Sequence, residues 1–178
     1  MRIAISVLTL AFVGALVGPS GIKAMAAMPT AAEASLVNSD GKSAGHAAFV
    51  QTSEGVKMTI DATGLAPGAH GIHLHAVGSC LAPDFASAGS HWNPMHKMHG
   101  RNAPNGFHAG DLPNIMIDSS GKGHLETLIA GATLDAGMMG LLDADGTALV
   151  IHAAADDNVT DPSGNSGKRL ECGVVTAR

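Results

Sequence analysis

A chain of 178 residues is long enough for one domain with a sizeable core. It has no Tyr, one Trp and four Phe, so that core must be aliphatic, and its 23 Gly favour many turns over long helices. Fifteen acidic residues against ten basic, with no basic run, exclude nucleic-acid binding as its main task.

The chain opens with the positive start Met1-Arg2 and an apolar run from Ile3 to Val17. Pro19, Ser20 and Gly21 break that run, and small residues follow from Ala24 to Ala27. This order predicts a secretory signal peptide over residues 1–26, cleaved near 26/27, and a periplasmic or otherwise exported product. The run is too short for a stable membrane anchor, and no second apolar stretch follows it. Cleavage would remove Arg2 and Lys23 but no acid, leaving a net charge of about −7.

Residues 27–178 read as one domain. Strand-like runs are expected at 44–52, 55–62, 71–77, 114–118, 124–129, 147–153 and 171–176, with a weaker first one at 34–38. Turn signals separate them, such as Ser39-Asp40-Gly41 and Ala144-Asp145-Gly146. The pattern is all-β, an antiparallel sandwich or barrel. Two segments interrupt it, 78–113 and 154–168, and loops of that length are usually functional or disordered. The first carries four histidines and two aspartates.

His73 and His75 form an H-x-H pair in a strand-like run, so both imidazoles face one way and can grip one metal. The pair alone also fits a polar strand face with two solvated histidines. His152 ends the run Ala148–His152 and is by itself an ordinary strand residue. In the long loop, His91, His99, His108 and Asp111 make a set of three imidazoles and one carboxylate, which suits a closed tetrahedral zinc site. Asp156 is placed to hydrogen-bond the second ring nitrogens of metal-bound histidines, whereas Asp157 reads as a solvated turn. Cys80 and Cys172 would form one disulfide in an exported protein, with free thiol ligands as the alternative.

Taken together, the segments 71–75 (GIHLH), 89–94 (GSHWNP), 99–100 (HG), 108–112 (HAGDL), 150–157 (VIHAAADD) and 164–173 (GNSGKRLECG) resemble the copper/zinc superoxide dismutases, bacterial exported branch. The resemblance implies an eight-stranded antiparallel Greek-key β-barrel with two long functional loops. It implies copper on His73, His75, His91 and His152, and zinc on His91, His99, His108 and Asp111, one of each metal per subunit. His91 would bridge the metals and act catalytically with Arg169, Asp156 would link the two sides, and Cys80 and Cys172 would pair. The implied reaction is superoxide disproportionation by a redox-cycling copper, with proton uptake at His91. A copper- or zinc-binding protein without turnover is the alternative. Trp92 and Lys168 depart from the residues most frequent in the family. Lys168 would add outer positive charge for an anionic substrate. Monomer and homodimer both remain open. A copper donor is the partner expected for loading, and Met95, His96 and Met98 offer donors for it, although an exposed turn is the plainer reading. His46, His70 and His124 are read as structural or exposed.

Overall fold

The computed structural model describes residues 28–178, so the expected signal segment and its cleavage point lie outside the described residues. No helix among them is long and apolar enough to cross a membrane. The strands are β1 (Ala31–Asn38), β2 (Ser43–Gln51), β3 (Gly55–Thr63), β4 (Gly68–His70), β5 (Ile72–His75), β6 (Ile115–Ile117), β7 (Lys122–Ala130), β8 (Ala148–His152), β9 (Arg169–Val174) and β10 (Thr176–Ala177). One 3-10 turn, Ala86–Ala88, sits in the first long loop.

All strand pairs are antiparallel, in the order β4-β6-β7-β3-β2-β1-β9-β8-β5, with β10 on β1. The ends of this path, β4 and β5, are consecutive pieces of one run split at Gly71, so the chain itself closes the sheet into a near-barrel. Neighbours β1-β2-β3, β6-β7 and β8-β9 pair directly, while the chain passes over intervening strands from β3 to β4 and from β7 to β8. This is the expected Greek-key pattern. Ten strands replace the expected eight because β4 forms ahead of the run expected at 71–77, separated from β5 by Gly71, and the last strand breaks at Val175.

Period-two alternation builds the interior. Leu36, Phe49, Met58, Ile60, Ile72, Leu74, Leu149 and Ile151 are fully or almost fully buried in one cluster. Burying each such side chain contributes about 1.5–3 kcal/mol. Strands β5 and β8 are buried at every position, which alternation alone does not explain. Their inward residues join the barrel core, and the long loop covers their outward face. Under that loop, Phe85, Ala88, Ala148, Val150 and Cys172 form a second apolar cluster, with Val37 and Cys80 packed against it. The disulfide Cys80–Cys172, with its Cα atoms 5.6 Å apart, pins the loop to β9. It spans 92 residues. Loop-closure entropy for such a span stabilises the fold by up to about 4–5 kcal/mol.

Candidate metal centre

Strand β5 carries His73 and His75 outward and Ile72 and Leu74 inward. Two returns of the long loop run beside it, pairing His75 with His91 and His73 with Asp111. Backbone bonds fix these returns: Trp92 N–H donates to Leu74 O at 2.8 Å, Leu74 N–H to Gly110 O at 2.9 Å, and Gly110 N–H to Trp92 O at 2.9 Å. The three segments approach so closely that a Cβ at Gly110 would collide with Leu74 O. On the other edge of β5, β8 supplies His152.

Two groups result, and His91 belongs to both. The first is His73, His75, His91 and His152, with ligand atoms all within 4.8 Å of one another. His73 Nδ1, His75 Nε2, His91 Nε2 and His152 Nε2 are buried and have no hydrogen-bond partner. In all four rings the second nitrogen is engaged: His73 Nε2 with Asp156 Oδ2 at 2.7 Å, His75 Nδ1 with Gly89 O at 2.9 Å, His91 Nδ1 with Asp111 Oδ1 at 2.9 Å and His152 Nδ1 with Gly167 O at 3.2 Å. Those nitrogens donate, so the unpartnered ones carry lone pairs. Four lone pairs directed at one place fit a cation that prefers imidazole.

The second group is His91, His99, His108 and Asp111. Asp111 Oδ1 lies 2.9 Å from His91 Nδ1, 3.1 Å from His99 Nδ1 and 3.2 Å from His108 Nδ1, and the His91 and His108 nitrogens are 3.3 Å apart. Ligands of a tetrahedral zinc with bonds of about 2.0–2.1 Å stand roughly 3.3 Å from one another, so these residues fit zinc. Asp111 Oδ2 accepts the backbone N–H of Gly100 at 2.9 Å and of His108 at 3.2 Å, which aims Oδ1 at the nitrogens. Asp156 ties the groups together. Its Oδ2 accepts from His73 Nε2, and its Oδ1 lies 3.1 Å from His99 Nε2.

Burial, and then the crowding of other imidazoles and Arg169, sets the charge state. Burial first, opposed by the Gly89 bond and aided by His91, Arg169 and His152, lowers His75 to about 2. Burial likewise takes His152 to about 3 and His91 to about 4, the latter opposed by its bond to Asp111. These rings are neutral near pH 7, the form that binds metal. For Asp111 burial acts upward, but bonds from His108, His91 and Gly100 outweigh it and hold the carboxyl far below its ordinary value. Asp156 is lowered in the same way, by His73, Asn158 and His99 against burial.

Arg169, on β9, is half-buried beside this group. Its Nη1 and Nη2 donate to Phe85 O and Gly89 O, each at 2.6 Å, so one loop carries both the guanidinium and the His75 support. Arg169 and Lys168 line a surface cleft with Asp84, Gly167 and Ser39.

Every residue expected at the centre is therefore brought to it, and the cysteines are joined. Met95, His96 and Met98 line three different clefts. Two contributors, Asn114 and Gly164, escaped the sequence reading. Asn114 donates to Asp156 O at 2.9 Å and accepts from Asp156 N–H at 2.8 Å. Gly164 has φ +61°, and a Cβ there would collide with the Asp156 carboxylate. His70, read as structural or exposed, is buried and structural, with Nδ1 2.7 Å from His152 O and Nε2 2.9 Å from Ala66 O. Only Gly164 left a trace in the sequence, within the segment 164–173.

Residues 43–175 match the family described as copper/zinc superoxide dismutase. The chain belongs to this family. A Cu-Zn superoxide dismutase of Aquifex aeolicus is 45% identical over 144 residues, covering 80% of this chain and 85% of that one. The Cu-Zn superoxide dismutase of Caulobacter vibrioides is 40% identical over 139 residues, covering 76% and 80%. A superoxide dismutase-like protein of Bacillus subtilis has a solved structure that matches with a TM-score of 0.77 at 42% identity, covering 81% of this chain and 97% of that one.

Proposed function

We propose that this protein is an exported copper/zinc superoxide dismutase, converting two superoxide anions and two protons to dioxygen and hydrogen peroxide. The observation that carries this reading is the convergence of four unpartnered, buried ring nitrogens beside a zinc-type His/Asp set, with His91 common to both. His73, His75, His91 and His152 would hold copper, and His91, His99, His108 and Asp111 would hold zinc. When bound, copper supplies one-electron oxidation and reduction, and zinc supplies a fixed charge without redox chemistry.

The chain's own residues do the rest. His91 presents Nδ1 to one group and Nε2 to the other, so Nε2 is the atom placed to take up and release a proton. Asp156 orients His73 and His99 through their second nitrogens. Arg169, pinned by two carbonyls, holds positive charge beside the copper-side histidines and would draw the anion inward. The net charge, −5 for the whole chain and about −7 without residues 1–26, repels superoxide at long range, so this attraction has to be local, with Lys168 as its outer part. The disulfide and the bacterial relatives support export.

The B. subtilis relative is named superoxide dismutase-like, which keeps a metal-binding role without turnover as the second reading. Dismutation by the purified protein, with copper and zinc quantified on the same sample, separates the two. Turnover that scales with copper content is expected. A fully metallated protein that does not turn over would leave the binding role.

A further inference from the structure

The outer face of β2, β3 and β7 carries a separate set of imidazole and carboxylate groups. Strand register places His46, Asp61 and His124 abreast on these three adjacent strands. All three side chains are exposed. His124 Nδ1 lies 2.7 Å from Asp61 Oδ1, and His46 Nε2 lies 3.6 Å from Glu33 Oε2 on β1. The proposed dismutation uses none of them. In the strand order, β7, β3 and β2 are separated from β5 and β8 by β1 and β9 on one side.

Adjacent strands are about 4.8 Å apart, so His46 and His124 stand roughly 10 Å apart with Asp61 midway. A cation seated over Asp61, with metal–nitrogen bonds of about 2 Å, requires each ring to lean inward by only about 3 Å. Exposed imidazoles reach that by rotamer change. The next row on the same face holds Glu33, Ala48, Thr59 and Glu126, of which Ala48 and Thr59, the two nearest Asp61, are too small to obstruct the rings. Exposed imidazole–carboxylate pairs contribute little to stability, so redirecting them costs little. The nearby Lys57 is already paired, its Nζ 2.9 Å from Glu126. Two imidazoles and a carboxylate on rigid strands match a borderline divalent cation.

We propose that His46, Asp61 and His124 form a surface zinc site, distinct from the metal centre under the loop. The test is a calorimetric titration with zinc alone, using protein already carrying its full copper and zinc, with the metal content of the centre measured again afterwards. One further equivalent should bind. His46→Ala and His124→Ala should each weaken it at least about tenfold. Asp61→Asn should weaken it in the same direction, while melting temperature and dismutation stay unchanged. His96→Ala should leave the titration as it was. Absence of the further equivalent, or its persistence at full affinity in both histidine variants, would overturn the site.

Discussion

Under the long loop, the ring nitrogens of His73, His75, His91 and His152 are buried without partners, and inside the barrel Glu171 Oε2 is buried without one too. Glu171 sits on β9 opposite Ile151 on β8, whose side chain belongs to the barrel core. Burial pushes both regions toward neutral groups, taking His75 down to about 2 and Glu171 up to about 8. An unsatisfied buried polar atom costs about 1–3 kcal/mol in either place. The difference lies in direction. Four lone pairs meeting at one point define a position that a cation can fill, whereas a lone carboxylic acid only weakens the wall it sits in. Convergence, more than burial, separates a binding centre from an isolated destabilising group.

The largest expected effect comes from breaking the convergence. His152→Ala should abolish copper retention and dismutation while zinc stays near one equivalent per chain, as metal analysis would report. Full activity in that variant would show that the four nitrogens do not act as one site. Loosening the link between the two groups is the milder intervention. Asp156→Asn should weaken metal binding about 10–100-fold, measured by chelator competition, because one side-chain oxygen no longer accepts from its histidine.

The two regions were also unequally legible in sequence. His73 and His75 could be read together because strand period two puts both on one face. The loop set His91, His99, His108 and Asp111 could be grouped by residue type but not placed, since its geometry depends on backbone contacts among Leu74, Trp92 and Gly110. Its assignment therefore rested on the family resemblance. Asn114 was invisible because its two bonds go to the main chain of Asp156, 42 residues away. The all-β architecture followed from alternation and turns. The break at Gly71, where one run passes from β6 to β8 as its partner, did not. Glu171 gave no signal either, since its burial depends on pairing with Ile151.

Charge beside the convergent group sharpens the comparison further. Arg169→Ile should lower kcat/KM by roughly tenfold and flatten its fall with added salt, with copper and zinc content unchanged. Identical salt profiles for the two proteins would remove Arg169 from substrate attraction and leave it as a loop anchor through Phe85 and Gly89.

The smallest effect belongs to Glu171. Its carboxyl titrates at about 8 in the fold against an ordinary 4.5, because burial disfavours the anion. Between those values the folded chain keeps a proton that the unfolded chain has released. Its contribution to stability therefore falls as pH rises from about 4.5 to about 8 and levels off above that, by at most about 1.4 kcal/mol per pH unit. Glu171→Gln preserves the shape and cannot ionise. Chemical denaturation of the metallated proteins should give nearly equal midpoints at about pH 4, where the Glu171 carboxyl is largely protonated in the folded and the unfolded chain alike. At about pH 9 the variant should be the more stable by about 1 kcal/mol or more. Glu171→Leu should be more stable than the parent at both pH values, since it also removes the unsatisfied oxygen. Parallel curves for Glu and Gln across this range would mean that the carboxylate finds a stabilising partner inside the barrel, and the contrast with the histidine cluster would then fail.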